Sequence, residues 1–418
     1  MPLFSVKTKE NLMEREHIQK IYYICREVFI QKRKDSTMKR FIYLSLLACL
    51  FHSMPLLAQN VKVGTYTFKN GDVYTGQLAG NKILGFKPHG QGKTICKNGD
   101  TYEGEYVKGK REGFGVYTFP DGERYEGQWF QDQQHGKGTL FMANNNRYEG
   151  MWYTDYQQGF GTMHYFNGDQ YIGNWEADKR EGEGTYTWAN GAQYIGEWAN
   201  DLKEGTGILD WANGERYEGT WKAGVRHGKG TYEYANGDKY IGDWQNDNPH
   251  GKGIYIFHNG DRYEGDYRNG QRTGQGIATY ANGDKYVGQF LDGEQDGKGT
   301  FTWANGAVYE GFWKDNQREG KGKYTWANGD VYEGDWKNNV ENGQGILRLK
   351  NGLKYKGGFV NGLKDGEGLQ EDPNGNRYKG GFKEGEKHGD FIETDINGNE
   401  IRRGNYRNGR LVNETTKK

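Results

Sequence analysis

Three sets of residues in this chain have types and spacings that could do chemistry. Glu103 and Glu105, two apart in TYEGEY, could form a carboxylate pair for general acid–base work. His89, His135, His227, His250 and His388 each precede a loop glycine and could offer imidazoles to a metal. Gly90-Gln91-Gly92-Lys93-Thr94 has the outline of a phosphate-binding loop. All three lose their claim once the neighbouring sequence is aligned with itself. The first glutamate recurs as Glu126, Glu149, Glu218, Glu264, Glu310 and Glu333, which makes it one rung of a solvated charge ladder. The histidine position is Glu112, Glu181, Glu204, Thr273, Asp296 and Asn342 elsewhere, a tolerance that a ligand position would not show. The glycine loop has Lys87 where its leading glycine should stand, and a strand pattern follows it, not the helix N-terminus that cradles phosphate. No Ser/His/Asp or Cys/His set stands apart from the repeat, so the expectation is a non-enzyme with no cofactor and no metal.

What governs these positions is a period. A Tyr-x-Gly anchor recurs every 23 residues at Tyr102, Tyr125, Tyr148, Tyr171, Tyr194, Tyr217, Tyr240, Tyr263, Tyr286, Tyr309, Tyr332, Tyr355 and Tyr378, with Tyr74 preceding them by a longer interval. Within one unit two runs alternate with period two, TYEGEY at Tyr102 and GEGTYTW from Gly182 to Trp188, which is the mark of half-buried strands. Asn-Gly dipeptides such as Asn190-Gly191 suit the two positive-φ positions of a tight hairpin turn. Each unit is therefore expected to be a β-hairpin, joined to the next by another tight turn. Glycines share the face of the aromatics, so rings from neighbouring strands can cover them. One face would be tiled by rings over glycines, and the other would carry Glu, Lys and Thr.

YEGxW followed by GxGxYxW and ANGDxY resembles the MORN (membrane occupation and recognition nexus) repeat, from about Val63 to Asn397. The resemblance implies an all-β fold: an elongated, single-layer antiparallel sheet of stacked hairpins, an open solenoid-like array with no catalytic domain. It also implies roles in scaffolding, dimerisation and membrane-associated assembly. Some such arrays accompany a lipid-kinase domain, and no kinase activity is carried over here.

Formal net charge is zero, but its distribution is uneven. Of 56 basic and 56 acidic residues, 1–58 hold ten and five, which leaves 46 and 51 for the repeats. A weakly acidic array argues against nucleic acid as the partner. Only Cys96 of three cysteines lies in the array, so no internal disulfide framework can form there.

Residues 38–58 read as a signal peptide, with Lys39 and Arg40 before an apolar run from Phe41 to Phe51 and cleavage between Ala58 and Gln59. Residues 1–37 are then a translated upstream segment or a helical leader. The expected organisation continues with the array at 59–397 and a degenerate cap with a frayed tail at 398–418. Export to the periplasm, cell surface or medium follows; the alternatives are a membrane anchor through 41–58 or lipidation at Cys49. The period breaks at LAGNKILGFKPHGQG, a loop insertion, and in the repeat that carries Tyr153, Tyr156 and Phe160, a local variation.

For contact, the expected surface is the aromatic face: Tyr217, Trp221, Tyr240, Trp244, Tyr263, Trp303, Tyr309, Trp313, Trp326, Tyr332 and Trp336. Its partner would be a protein, with a homodimer, a glycan or membrane lipid as the other classes. Those rings could equally be core. N-terminal sequencing of the exported protein tests the leader reading: a mature end near Gln59 is expected, and one at or before Met38 defeats it.

Overall fold

The computed structural model describes residues 60–416; the expected signal segment, Cys49 and the Ala58–Gln59 cleavage site lie outside them. The described residues are all-β, with 31 strands in antiparallel hairpin order. They divide into two units, one ending at Thr94 and including Glu105–Lys110, the other formed by Ile95–Gly104 and everything from Arg111 on. In the first unit, strand Asn60–Thr67 pairs with Val73–Asn81, and Gly85–Ile95 follows. The 15-residue irregularity expected as a loop is instead a lengthened hairpin whose tip exposes Ile83 and Leu84.

In the second unit each strand from Lys110–Thr118 onward pairs with the next in sequence, and the repeat starting at Tyr217 shows how. Strand Arg216–Lys222 places Tyr217, Gly219 and Trp221 on one face. It pairs with strand Val225–Glu233 through Tyr217↔Tyr232 and Gly219↔Gly230, then slips register before Trp221↔Arg226. The extra residues make a β-bulge, which interrupts the ladder and leaves polar backbone to be satisfied otherwise. Thr220 sits at that slip, and the Tyr217 hydroxyl donates to its carbonyl at 3.0 Å. The same bond recurs from Tyr125 to Gln128, Tyr240 to Asp243 and Tyr332 to Asp335.

To reach that carbonyl the ring must lie across two glycines. A Cβ on Gly230 would come within 2.3 Å of the Tyr217 hydroxyl, and one on Gly219 within 2.5 Å of the Gly230 Cα. The expected rings over glycines are thus present, each tyrosine from Tyr125 to Tyr355 covering a glycine on its own strand and another across from it. Trp221 extends the layer backwards, its indole N–H donating to Gly207 of the preceding repeat at 3.3 Å. Tyr217 meets Trp221 and Trp244 edge-to-face at 5.1 and 5.4 Å, so the rings form a continuous ladder from repeat to repeat. Such pairs contribute about 0.5–1.5 kcal/mol each beyond their buried area.

The turns exchange the roles expected of them. Gly237 has φ 88° after Asn236, which is not in the left-handed region; Gly237 N–H donates to Tyr234 and Tyr234 N–H to Asp238, both at 2.9 Å. This is a type I turn closed by a left-handed glycine. Two consecutive positive φ values occur in the other turn, as at Ala223-Gly224 and Asn246-Asp247. Asn-Gly is therefore not the two-residue hairpin turn, because Asn236 is needed elsewhere: its side chain holds Asp238, whose carboxylate accepts from Tyr255 and the His258 amide of the next repeat. At the C-terminal end, the segment expected to fray forms strand Arg410–Thr416, paired with Glu400–Arg407.

Burial drives the repeat tyrosines above their ordinary value of 10; Tyr355 is pushed up to about 12, first by burial and then by Asp365 and Glu367 nearby. A hydroxyl whose folded pKa is raised stabilises the fold below the unfolded pKa, and that stability is lost as pH rises through the folded value. Alkaline titration followed by tyrosinate absorbance and far-ultraviolet circular dichroism should therefore show ionisation and unfolding in one steep transition above pH about 10. Gradual ionisation of all tyrosines with the sheet intact would contradict this account.

Candidate functional site

The residues first singled out for chemistry are dispersed by the fold. Glu103 and Glu105 are exposed on strand Thr101–Val107. Gly90 to Thr94 lie within a strand, with Gly92 under the Tyr74 ring. His135 lies tilted between Phe130 and Tyr153 at 5.5 and 5.2 Å, and among the described residues no three His, Cys, Asp or Glu side chains gather as a metal site.

The aromatic face is largely interior. Tyr217, Tyr240, Tyr263, Tyr309 and Tyr332 have no exposed surface, and Trp221, Trp244, Trp313 and Trp336 have no more than 6 %. Only Trp303 and Trp326 of the expected contact rings are half-buried. Cations cover several of the others, among them Trp221, Trp244 and Trp336. The Arg226 guanidinium lies 4.4 Å from the Trp244 ring and Arg180 4.3 Å from Trp198. Each is held by the turn 21 residues on: Arg226 Nε donates to Asp247 Oδ1 at 3.0 Å, and its terminal nitrogen to the Asp247 carbonyl at 3.0 Å.

The opposite face carries the expected Glu, Lys and Thr, and aliphatic residues as well. Between residues 183 and 287 it holds a groove of about 1210 Å³ whose apolar lining is Ile195, Ile208, Ile241, Ile254, Ile277 and Val287. These residues meet as direct cross-strand pairs, Ile195↔Ile208, Ile241↔Ile254 and Ile277↔Val287. The floor is glycine backbone, since the tyrosine anchors demand glycine there on every strand. Lysines along the wall are neutralised by the facing strand, Lys229 by Asp243 and Lys252 by Asp266, both at 2.5 Å. The Lys252 ammonium holds the Asp266 carboxyl below the usual range. The stripe has a sequence signal that tracking the recurrent glutamate hides: in this stretch the residue after the anchor tyrosine is Ile195, Ile241 and Val287, alternating with Glu218 and Glu264. No helix among the described residues is long and apolar enough to cross a membrane.

The family model for the MORN repeat matches fourteen segments, 63–73, 87–101 and then back-to-back 23-residue units from 102–124 through 355–377. The chain belongs to the MORN-repeat family. From 102 onward the segment boundaries fall at the anchor tyrosines, so each of those MORN units begins with the ring that covers its glycine. A comparison with curated proteins finds no significant match. Among solved structures, the TCP domain of SAS-4 (dCPAP) from Drosophila melanogaster, in complex with a proline-rich motif of Ana2 (dSTIL), is similar over 37 % of this chain and 85 % of that one. The identity is 20 % and the TM-score 0.25. A streptogramin B lyase is 12 % identical over 77 % of this chain and 94 % of its own, with a TM-score of 0.12. Neither likeness bears on what the MORN array does.

One position in the cationic cover is weaker than its equivalents. Lys203 stands where Arg180 and Arg226 do, 4.0 Å over Trp221, and burial pushes its ammonium down to about 8, with Asp247 opposing and Arg226 adding to the shift. Where the equivalent is Arg272, its guanidinium donates to the Gly293 carbonyl at 2.6 Å, and Gly224 occupies that place opposite Lys203. Lys203→Arg should gain this bond and raise stability by about 0.5–1.5 kcal/mol. A base depressed from 10.5 to about 8 makes the fold more stable as pH rises between those values. Denaturant melts across that window should show the increment in the parent and not in the variant; equal slopes would refute the assignment.

Proposed function

We propose that this MORN-repeat protein is a non-catalytic scaffold that binds a protein partner through the aliphatic groove between residues 183 and 287. The observation that carries the reading is the paired isoleucine stripe itself. Its aliphatic side chains lie on the side of the sheet away from the ring ladder, in cross-strand pairs separated by Glu218 and Glu264 in the same register. Ile195 is 45 % exposed. Exposed apolar surface rimmed by polar residues marks an interaction site. The buried rings serve instead to hold the sheet, with Trp303 and Trp326 as the part of that face open to contact. We place the protein at the cell envelope on the strength of the basic and apolar segment at 38–58, which has the order of an export signal. A second copy, a glycan or a lipid surface are the other occupants to distinguish.

Ile195→Glu with Ile241→Glu installs the residue that Glu218 and Glu264 already carry in register, so the melting curve should move by less than about 0.5 kcal/mol. Capture from envelope extracts with the mature chain, followed by mixing with the purified partner, should lose the complex with this variant and retain it with Trp303→Ala plus Trp326→Ala. The reverse pattern, or binding only to glycan arrays or vesicles, would overturn the reading.

A further inference from the structure

The aromatic face of the second unit carries an outer tier of rings that zigzags between strand and turn. It runs Tyr232 to Tyr234 at 4.5 Å, Tyr234 to Tyr255 at 5.6 Å and Tyr255 to Phe257 at 4.5 Å. It resumes with Tyr280 to Phe301 at 6.0 Å, Phe301 to Trp303 at 4.5 Å and Trp303 to Tyr324 at 5.1 Å. The interruption is one ring wide and falls at Ala278. This residue pairs with Tyr263 as Tyr232 pairs with Tyr217, so the repeat places alanine where a tyrosine stands in the two preceding units. A methyl group in the place of a ring in one packed layer leaves space that the fixed backbone cannot close. That space is a cavity of about 580 Å³, with Ala278 in its lining and Phe257, Tyr280 and Trp303 on its walls. The size is within the range of small-molecule pockets.

The arginines of this cavity differ from Arg180 and Arg226. Arg180 and Arg226 are neutralised by Asp201 and Asp247, both at 3.0 Å. Arg272 and Arg318, which line the cavity, donate instead to the backbone carbonyls of Gly293 and Asn339 at 2.6 Å. Among the described residues neither forms an ion pair. The acids on the wall are already engaged: Asp261 accepts from the Ala281 amide and Asn259, and Asp284 from the Ala304 amide and Asn282. In the intact repeat, the Arg226 guanidinium lies 5.0 Å from the Tyr232 ring. Arg272 holds the equivalent place beside Ala278.

We propose that this cavity binds a ring-bearing carboxylate. A flat six-membered ring enters over Ala278 between Phe257 and Tyr280 and completes the outer tier, and its acid group meets the Arg272 guanidinium. A uronic-acid sugar and an aromatic acid share this chemistry, and both present a face for stacking and a carboxylate for a charge-assisted hydrogen bond. The site is separate from the aliphatic groove and does not depend on it.

The test uses the full chain in carboxylate-free buffer, with saturation-transfer nuclear magnetic resonance and tryptophan fluorescence as readouts. The probes are D-glucuronate and benzoate, with D-glucose and benzyl alcohol as their neutral counterparts. The acids should bind at least about tenfold tighter than the neutral probes, the factor expected for one charge-assisted bond. The stronger of the two acids names the source, sugar or aromatic. Ala278→Tyr, which restores the ring its register neighbours carry, should abolish binding while melting at or above the parent temperature. Arg272→Gln should bring acid and neutral probes to the same affinity. Acid binding that survives Ala278→Tyr, equal binding of acid and neutral probes to the parent, or no binding of any of the four would overturn the proposal.

Discussion

The hydroxyl of each anchor tyrosine donates to a backbone carbonyl at the point where its strand slips register, and much of the repeat follows from that bond. For Tyr217 to reach Thr220 the ring must cross Gly219 and Gly230, where no Cβ can be accommodated. The bulge at Thr220 in turn requires Gly228, with φ 69°, on the facing strand. Three glycines and one tyrosine are thus a single device. It satisfies a polar group that the bulge would leave costly and buries a large ring against bare backbone. The reward is a sheet that makes its own core from one layer.

A one-layer core has a consequence for function. The rings that look like a contact surface are consumed in holding neighbouring repeats together, through the Tyr217, Trp221 and Trp244 ladder and the Trp221 bond to Gly207. In several repeats an arginine pinned by the next turn then covers the rings, as Arg180 and Arg226 do. What remains free to vary is whatever the device does not use: the residue after each anchor tyrosine, and the occupant of the outer tier. The isoleucine stripe occupies the first freedom and Ala278 the second. In a repeat protein, departures from the period are where specificity can be written without loss of fold.

Several features were legible before any coordinates. The 23-residue interval, the alternation in TYEGEY and the glycines on the aromatic face predict hairpins with rings over glycine, and all are present. The turn assignment failed because Asn-Gly fits two turn types locally, and only the demand of Asp238 for the Asn236 side chain chooses between them. The tail at Arg410–Thr416 read as frayed because its repeat signature is lost, yet strand pairing needs only a backbone edge, which Glu400–Arg407 supplies.

The amino-acid order by itself determined the element, its period and the family, since those depend on local alternation and on glycine and tyrosine at fixed spacing. Burial was decided by the tertiary structure alone. Whether Trp244 is surface or interior depends on Arg226 and Tyr217 in the preceding unit, and whether Ile195 meets Ile208 and Ile241 meets Ile254 depends on the register between successive strands. A one-dimensional pattern records which residues can share a face. Which face is covered, and by what, is settled by contacts between repeats.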